Sequence, residues 1–173
     1  MIIVFTGPGK GKTTTALGQG LRAMGQGKRV ICYQFIKSKD YKTGEEETIK
    51  TFGDKFKLIK GGRGFVGILG DKLPRKVHEE AALSTLNEVQ KAIASSKWDV
   101  VILDEVNVAT SLKLINPSNV VKIIKQAPPE KIIILTGRGA PKIFIRHADL
   151  CTYFIEVKHP FKKGVKARKG VEY

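Results

Sequence analysis

The sequence predicts a single-domain α/β protein: a mostly parallel six-stranded sheet with helices on both faces. Three observations carry this. Short apolar runs alternate with amphipathic stretches along the whole chain, and strands joined by crossover helices must pair in parallel. Several runs are apolar at every position, as strands covered on both faces must be: Ile2-Ile3-Val4-Phe5, Val100-Val101-Ile102-Leu103 and Ile132-Ile133-Ile134-Leu135. The chain has 173 residues, enough for one domain with a real core and little room for a second domain.

The elements follow in order. The first strand is Ile2 to Phe5. A helix begins at Lys12, with Ala16, Leu17, Leu21 and Met24 on its apolar face, and Gly25 and Gly27 end it. The second strand is Val30 to Ile36. A charged segment, Lys37 to Lys50, leads to a third strand, Phe56 to Ile59. Gly61-Gly62-Arg63-Gly64-Phe65-Val66-Gly67 is a long glycine-rich loop of the kind that carries binding function. Pro74 opens a helix to about Ala94, with Ala82, Leu86, Val89 and Ile93 at four-three-four spacing on one face. The fourth strand is Val100 to Leu103. Asn116 and Pro117 are an N-cap and a first-turn proline for a helix to about Gln126, which Pro128-Pro129 stops. The fifth strand is Ile132 to Leu135. A short helix from about Pro141 to His147 precedes a sixth strand, roughly Thr152 to Val157.

The chain carries 31 basic and 16 acidic residues, a net charge of +15. That balance suits an acidic partner: nucleotide, nucleic acid or an acidic protein. The lysines are dispersed apart from a dense C-terminal stretch (Lys158, Lys162, Lys163, Lys166, Arg168, Lys169), and a dispersed excess also fits a merely solvated surface. No stretch approaches a membrane-spanning length, and Met1 runs directly into the first strand without a basic leader. Cys32 and Cys151 lie in apolar runs without CxxC spacing and read as small buried residues, so a cytoplasmic location is expected. His78, His147 and His159 share no metal-ligand spacing and read as surface or capping residues.

The chemistry concentrates at strand ends. Straight after the first strand the chain reads Gly7-Pro8-Gly9-Lys10-Gly11-Lys12-Thr13-Thr14, a glycine-rich turn opening a helix. Such a turn directs backbone N–H groups inward onto phosphate, the helix adds its positive dipole end, the lysine a mobile charge and the threonine a hydroxyl for Mg²⁺. The spacing is unusual: three residues separate Gly7 from Gly11 where the standard loop has four, and Thr6 stands at the usual first glycine. The fourth strand ends Asp104-Glu105, the pattern of a buried strand that carries carboxylate to a metal beside such a loop, and at a strand end both acids can reach it. Thr136-Gly137-Arg138 follows the fifth strand at the same sheet edge, where an arginine can clamp phosphate oxygens or a substrate carboxylate or amide, or stand on the surface after a turn.

Taken together these residues resemble a family. Phe5-Thr6-Gly7-x-Gly9-Lys10-Gly11-Lys12-Thr13-Thr14, Leu21-Arg22-Ala23-x-Gly25, Gln34-Phe35-Ile36-Lys37, Leu103-Asp104-Glu105-x-Asn107, Leu135-Thr136-Gly137-Arg138-Gly139-Ala140-Pro141, Ala148-Asp149-Leu150 and His159-Pro160-Phe161-x-x-Gly164-Val165-x-Ala167-Arg168-Lys169-Gly170-Val171-Glu172-Tyr173 match the ATP:corrinoid adenosyltransferases of the phosphate-loop type. The resemblance implies a RecA-like P-loop fold over residues 1–173. It implies transfer of the 5′-deoxyadenosyl group of ATP to Co(I) of cob(I)alamin or cob(I)yrinic acid a,c-diamide, with triphosphate released. In this family the shortened loop goes with ATP bound in the reverse direction. Carried over, Gly7, Gly9, Lys10, Gly11, Lys12, Thr13 and Thr14 bind ATP, Thr13 and Glu105 hold Mg²⁺, and Lys12, Glu105 and Arg138 serve catalysis. Phe65 faces the lower side of the corrinoid, and a homodimer is expected. Two departures stand out. Gly67 replaces an aromatic of the family's Gly-Phe-Thr-Trp loop, leaving Val66, Ile68 or Leu69 to compensate, and with Met1 leading straight into the first strand the N-terminal cover that some members place over the corrinoid is not expected here.

Two other classes fit parts of the pattern. A RecA-like nucleic-acid-stimulated ATPase would use the loop and the positive charge, but the chain lacks a base-stacking aromatic platform or recognition helix. A nucleotide-dependent interaction module would leave the carboxylate pair unexplained. For the adenosyltransferase reading, the basic surface suits a reduced flavodoxin-like electron donor.

Overall fold

Strands β1 (Ile2–Thr6), β2 (Val30–Gln34), β3 (Phe56–Lys60), β4 (Val100–Asp104), β5 (Ile132–Thr136) and β6 (Leu150–Tyr153) form one sheet in the order β3-β2-β4-β5-β1-β6, every pairing parallel. This computed structural model describes residues 1–68, 70–160, 164 and 166–171. Leu69, Phe161, Lys162, Lys163, Val165, Glu172 and Tyr173, which figure in the sequence reading, lie outside the described residues. The phosphate-loop strand β1 and the acid-bearing strand β4 are separated by β5, which is the RecA-like arrangement.

Side chains alternate faces along a strand, so the all-apolar runs feed two cores at once. Ile3, Phe5, Val100, Ile102 and Ile134 face α1 (Lys12–Gly25) and α2 (Gly44–Lys50). Val4, Val101, Leu103, Ile133 and Leu135 face α3 (Arg75–Ala94), α4 (Val106–Ser111), α5 (Pro117–Ile124) and α6 (Lys142–His147). The expected face of α3, Ala82, Leu86, Val89 and Ile93, is buried in the second core. Burial of each leucine or isoleucine there contributes roughly 1.5–3 kcal/mol. The Asn116 side chain accepts from the Ser118 N–H at 2.8 Å, as an N-cap ahead of Pro117 should.

Several expectations need correction. The inner face of α1 is a stripe of small residues, Ala16, Gly20 and Ala23, whereas Leu21 is 52% exposed. A Cβ on Gly20 would stand 3.0 Å from the Phe56 ring, so glycine lets the helix approach the sheet. The charged stretch before β3 contains α2, whose first turn carries Glu45, Glu46 and Glu47 at the positive end of the helix dipole. Strand β2 stops at Gln34 and not at Ile36, and the short helix α4 follows β4 directly. Strand β6 starts at Leu150 and ends at Tyr153, because its partner β1 ends at Thr6 and turns into the phosphate loop. Cys32 is buried as expected but Cys151 is exposed on this edge strand. His78 is not a surface residue: it is buried, with Nε2 3.0 Å from Asp71 Oδ2.

Candidate active site

Because every strand is parallel, the loops leaving their C-terminal ends gather along one sheet edge. There they line a cleft of about 660 Å³, with Gly9 to Thr14 on one wall, Lys37, Glu45 and Thr48 on another, and Glu105, Arg138, His159 and Gly170 completing it.

The phosphate loop is set by two left-handed glycines, Gly7 at φ 105° and Gly11 at φ 111°, a conformation that would strain any side chain. The Lys12 ammonium is buried and donates to the carbonyls of Gly7 (2.8 Å) and Gly9 (2.5 Å). Burial pulls its pKa down; the Glu105 carboxylate opposes that shift and the Arg138 charge adds to it. Thr13 stands in the first turn of α1, and the Thr14 hydroxyl donates to the Gly11 carbonyl at 3.1 Å. Lys10 lines the cleft from the loop's exposed side.

Asp104 closes β4 on the α1 side, in phase with Val100 and Ile102. It is fully buried, and three donors converge on it: Thr13 Oγ1 (2.8 Å) and Thr136 Oγ1 (2.7 Å) on Oδ1, and Gln34 Nε2 (3.0 Å) on Oδ2. The last contact follows from register, since Gln34 lies opposite Asp104 in the β2–β4 pair. Glu105 then leaves the strand in a left-handed conformation, φ 61° and ψ 20°, with its N–H on Thr136 Oγ1 at 3.0 Å. Burial, helped by the Asp104 charge, pushes the Glu105 carboxyl up to about 7 against the pull of Lys12, Lys37 and Arg138.

The loop after β5 rests on this acid. A Cβ on Gly137 would lie 3.0 Å from Glu105 Oε2. Buried Asn107 ties the assembly together, its Nδ2 donating to the carbonyls of Gly137 (3.0 Å) and Phe5 (3.3 Å), so the β5 loop is fastened to the end of β1. Arg138 follows, exposed at the rim of the cleft.

Phe65 is placed elsewhere. It is 54% exposed in the loop after β3 and does not line the phosphate cleft. That loop is pinned to the end of β2: the N–H groups of Gly61 and Gly62 donate to the Gln34 carbonyl and that of Gly64 to the Ile36 carbonyl. Val66 turns inward against the α3-side core, whereas Ile68 is 59% exposed.

The structure therefore brings Gly7 through Thr14, Glu105 and Arg138 together and leaves Phe65 on a separate loop. The sequence reading missed Asp104 as the direct partner of Thr13, and with it Gln34, Thr136 and Asn107. A signal was present: Gln34 and Thr136 are the polar residues that end otherwise apolar strands. Among the described residues no group of three or more His, Cys, Asp or Glu is placed to hold a metal alone. The Thr13 hydroxyl beside the Asp104 and Glu105 carboxylates is nonetheless the hard-oxygen set that suits Mg²⁺ when phosphate and water complete its shell. No helix among the described residues is long and apolar enough to cross a membrane.

Comparison with known proteins identifies the family. A family model described as ATP:corrinoid adenosyltransferase BtuR/CobO/CobP matches residues 1–173. The chain is 34% identical over 173 residues to the corrinoid adenosyltransferase of Escherichia coli (strain K12), covering 100% of this chain and 85% of that protein. It is 37% identical over 175 residues to the corrinoid adenosyltransferase of a Sinorhizobium species, covering 100% of this chain and 80% of the relative. Among solved structures, flagellar accessory protein FlaH from Methanocaldococcus jannaschii superposes with a TM-score of 0.55 at 13% identity, over 88% of this chain and 70% of that one, a likeness of fold alone. On the family match over its full length, and on identity to whole relatives, the chain belongs to the ATP:corrinoid adenosyltransferases.

Proposed function

We propose that this chain transfers the 5′-deoxyadenosyl group of ATP to the Co(I) centre of a corrinoid, cob(I)alamin or cob(I)yrinic acid a,c-diamide. The observation that carries the reading is the Thr13–Asp104 contact at 2.8 Å, which brings the glycine-rich loop and the strand-end carboxylate together, as a triphosphate-Mg²⁺ site requires, in a chain of this family. In the reaction the cobalt electron pair forms the Co–C5′ bond while the C5′–O bond breaks, and its electrons leave with triphosphate. Co(I) is itself a strong nucleophile, so no general base is needed, and the protein's work is to position C5′ and to bear the charge on the leaving group.

In this reading Gly7, Gly9, Lys10, Gly11, Lys12, Thr13 and Thr14 form the triphosphate cradle. Thr13 with Glu105, and Asp104 beside them, holds Mg²⁺, which when bound neutralises phosphate charge. Lys12 exchanges its carbonyl partners Gly7 and Gly9 for phosphate oxygens, and Arg138 reaches them from the rim. The exposed Phe65 meets the lower face of the corrinoid, with Ile68 as the exposed apolar neighbour where the family's aromatic is replaced by Gly67. An acidic, flavodoxin-like donor supplies the electron that makes Co(I), docking on the basic surface of a chain of net charge +15, and the enzyme works as a homodimer.

The test is anaerobic mixing of the protein with ATP, Mg²⁺ and chemically reduced cob(I)alamin. Light-sensitive adenosylcobalamin with stoichiometric triphosphate is expected. Orthophosphate release without a corrinoid change, stimulated by nucleic acid, would overturn the proposal in favour of the ATPase.

A further inference from the structure

The phosphate loop of this chain is not free-standing. The β1–β6 ladder ends at Thr6 and Tyr153, yet the next residue continues the contact into the loop itself. The Phe154 N–H donates to the Thr6 carbonyl at 2.7 Å, and the Phe154 carbonyl accepts from the Gly9 N–H at 2.8 Å. The Phe154 ring meets Phe5 edge-on, centroids 5.8 Å apart at 84°, and its edge lies 3.5 Å from where a Gly11 Cβ would stand.

This contact explains two of the loop's glycines. A Cβ on Gly7 would fall 2.4 Å from the Phe154 carbonyl oxygen, and one on Gly9 would fall 2.8 Å from the Ile155 carbonyl group. Gly9 is not among the left-handed glycines, so its φ does not call for glycine, and the neighbouring strand extension is what leaves no room for a side chain there. The same contact ties up the Gly9 N–H on a protein carbonyl.

We propose that Phe154 is a positioning residue for the phosphate loop: it braces the shortened loop from behind and withdraws the Gly9 amide from the donors that meet triphosphate. Gly9 then lines the cradle through its bare backbone, and the donors to triphosphate come from Gly11 onward and the first turn of α1. The inference rests on the reading of this loop as a triphosphate site.

The ligand-free, full-length chain gives the first test, amide exchange at Gly9 followed by NMR. Protection of about 100-fold or more over an unstructured peptide is expected, and it should fall in Phe154→Ala, which keeps the accepting main-chain carbonyl but removes the ring that seats it against Phe5 and Gly11. The second test is binding of inorganic triphosphate with Mg²⁺, together with steady-state kinetics. Phe154→Ala is expected to weaken triphosphate and raise the KM for ATP by about tenfold while the KM for corrinoid stays put, and Phe154→Leu is expected to recover most of the loss. Gly9→Ala is expected to lose triphosphate binding despite its permissive φ. Fast Gly9 exchange in the wild type, a folded Phe154→Ala or Gly9→Ala with wild-type triphosphate affinity, or a loss in KM for both substrates alike would overturn the brace. Should Phe154→Ala fail to fold, Phe154→Leu is judged by the same criteria, with a smaller expected loss. A wild type that binds neither inorganic triphosphate nor ATP would overturn the triphosphate reading instead, and Gly9 exchange then decides the brace by itself.

Discussion

Replacing Glu105 by glutamine separates what this acid costs the fold from what it contributes to the site. Its carboxyl titrates at about 7 in the folded chain against an ordinary value of 4.5, chiefly through burial and then through the Asp104 charge. Between those values the folded chain holds the proton and the unfolded chain does not. The stability associated with neutral Glu105 is therefore fully present below about pH 4.5 and is lost as the pH rises through 7. At 1.36 kcal/mol per unit, the gap amounts to about 3 kcal/mol of destabilisation above pH 8, and under about 1 kcal/mol at pH 5. Glutamine keeps the shape and never ionises. In metal-free buffer with EDTA, Glu105→Gln should be more stable than the wild type by about 3 kcal/mol at pH 8.5, roughly 10 °C in Tm, and close to it at pH 5. Thermal unfolding at both pH values measures this, and comparing the variant with the wild type at each pH cancels every other titrating group. The same variant should lose adenosyl transfer by about 100-fold. Equal stability of the two proteins at pH 8.5 would refute the reasoning, since it would mean that the carboxylate is solvated where the cleft has been described as burying it.

Two further outcomes test the scaffold. Lys131 is 5% exposed and its ammonium donates to the carbonyls of Ala92 (3.3 Å), Ile93 (2.8 Å) and Ser95 (2.6 Å), closing the C-terminal end of α3. Lys131→Met keeps the stem and removes the donors, so urea unfolding followed through the buried Trp98 should show a loss of about 2 kcal/mol; an unchanged midpoint would rule the cap out. A Cβ on Gly61 would lie 2.0 Å from Thr85 Oγ1, so Gly61→Ala should cost more than about 2 kcal/mol, and adding Thr85→Ala should return about 1 kcal/mol of it. Strict additivity of the two substitutions would show that the clash is relieved by some other movement.

The site was partly legible because its first half is local. Phosphate loop, following helix and strand-end acids are short runs whose residue types state their chemistry, and a parallel sheet sends all of them to one edge. The irregular loop after β3 was legible too, through its glycines. What stayed hidden depends on partners distant in sequence. Thr13 and Asp104 are 91 positions apart, and nothing in either run says that this carboxylate, rather than its neighbour Glu105, takes the hydroxyl. The inner face of α1 misled for a similar reason: leucine at position 21 fits an apolar stripe, but the sheet accepts only the small residues Ala16, Gly20 and Ala23 at that distance.

By itself, then, the sequence determined the α/β class, nearly every strand, the phosphate loop and, through its ordered motifs, the family. These rest on periodicity, turn chemistry and residue type, which act over a few neighbours. Tertiary structure alone decided the strand order that brings β4 and β5 beside the loop, the burial that lifts Glu105 to about 7, and the Phe154 contact that explains why Gly9 must lack a side chain. Each of these is a distance or a desolvation between residues far apart along the chain, and packing is what sets both.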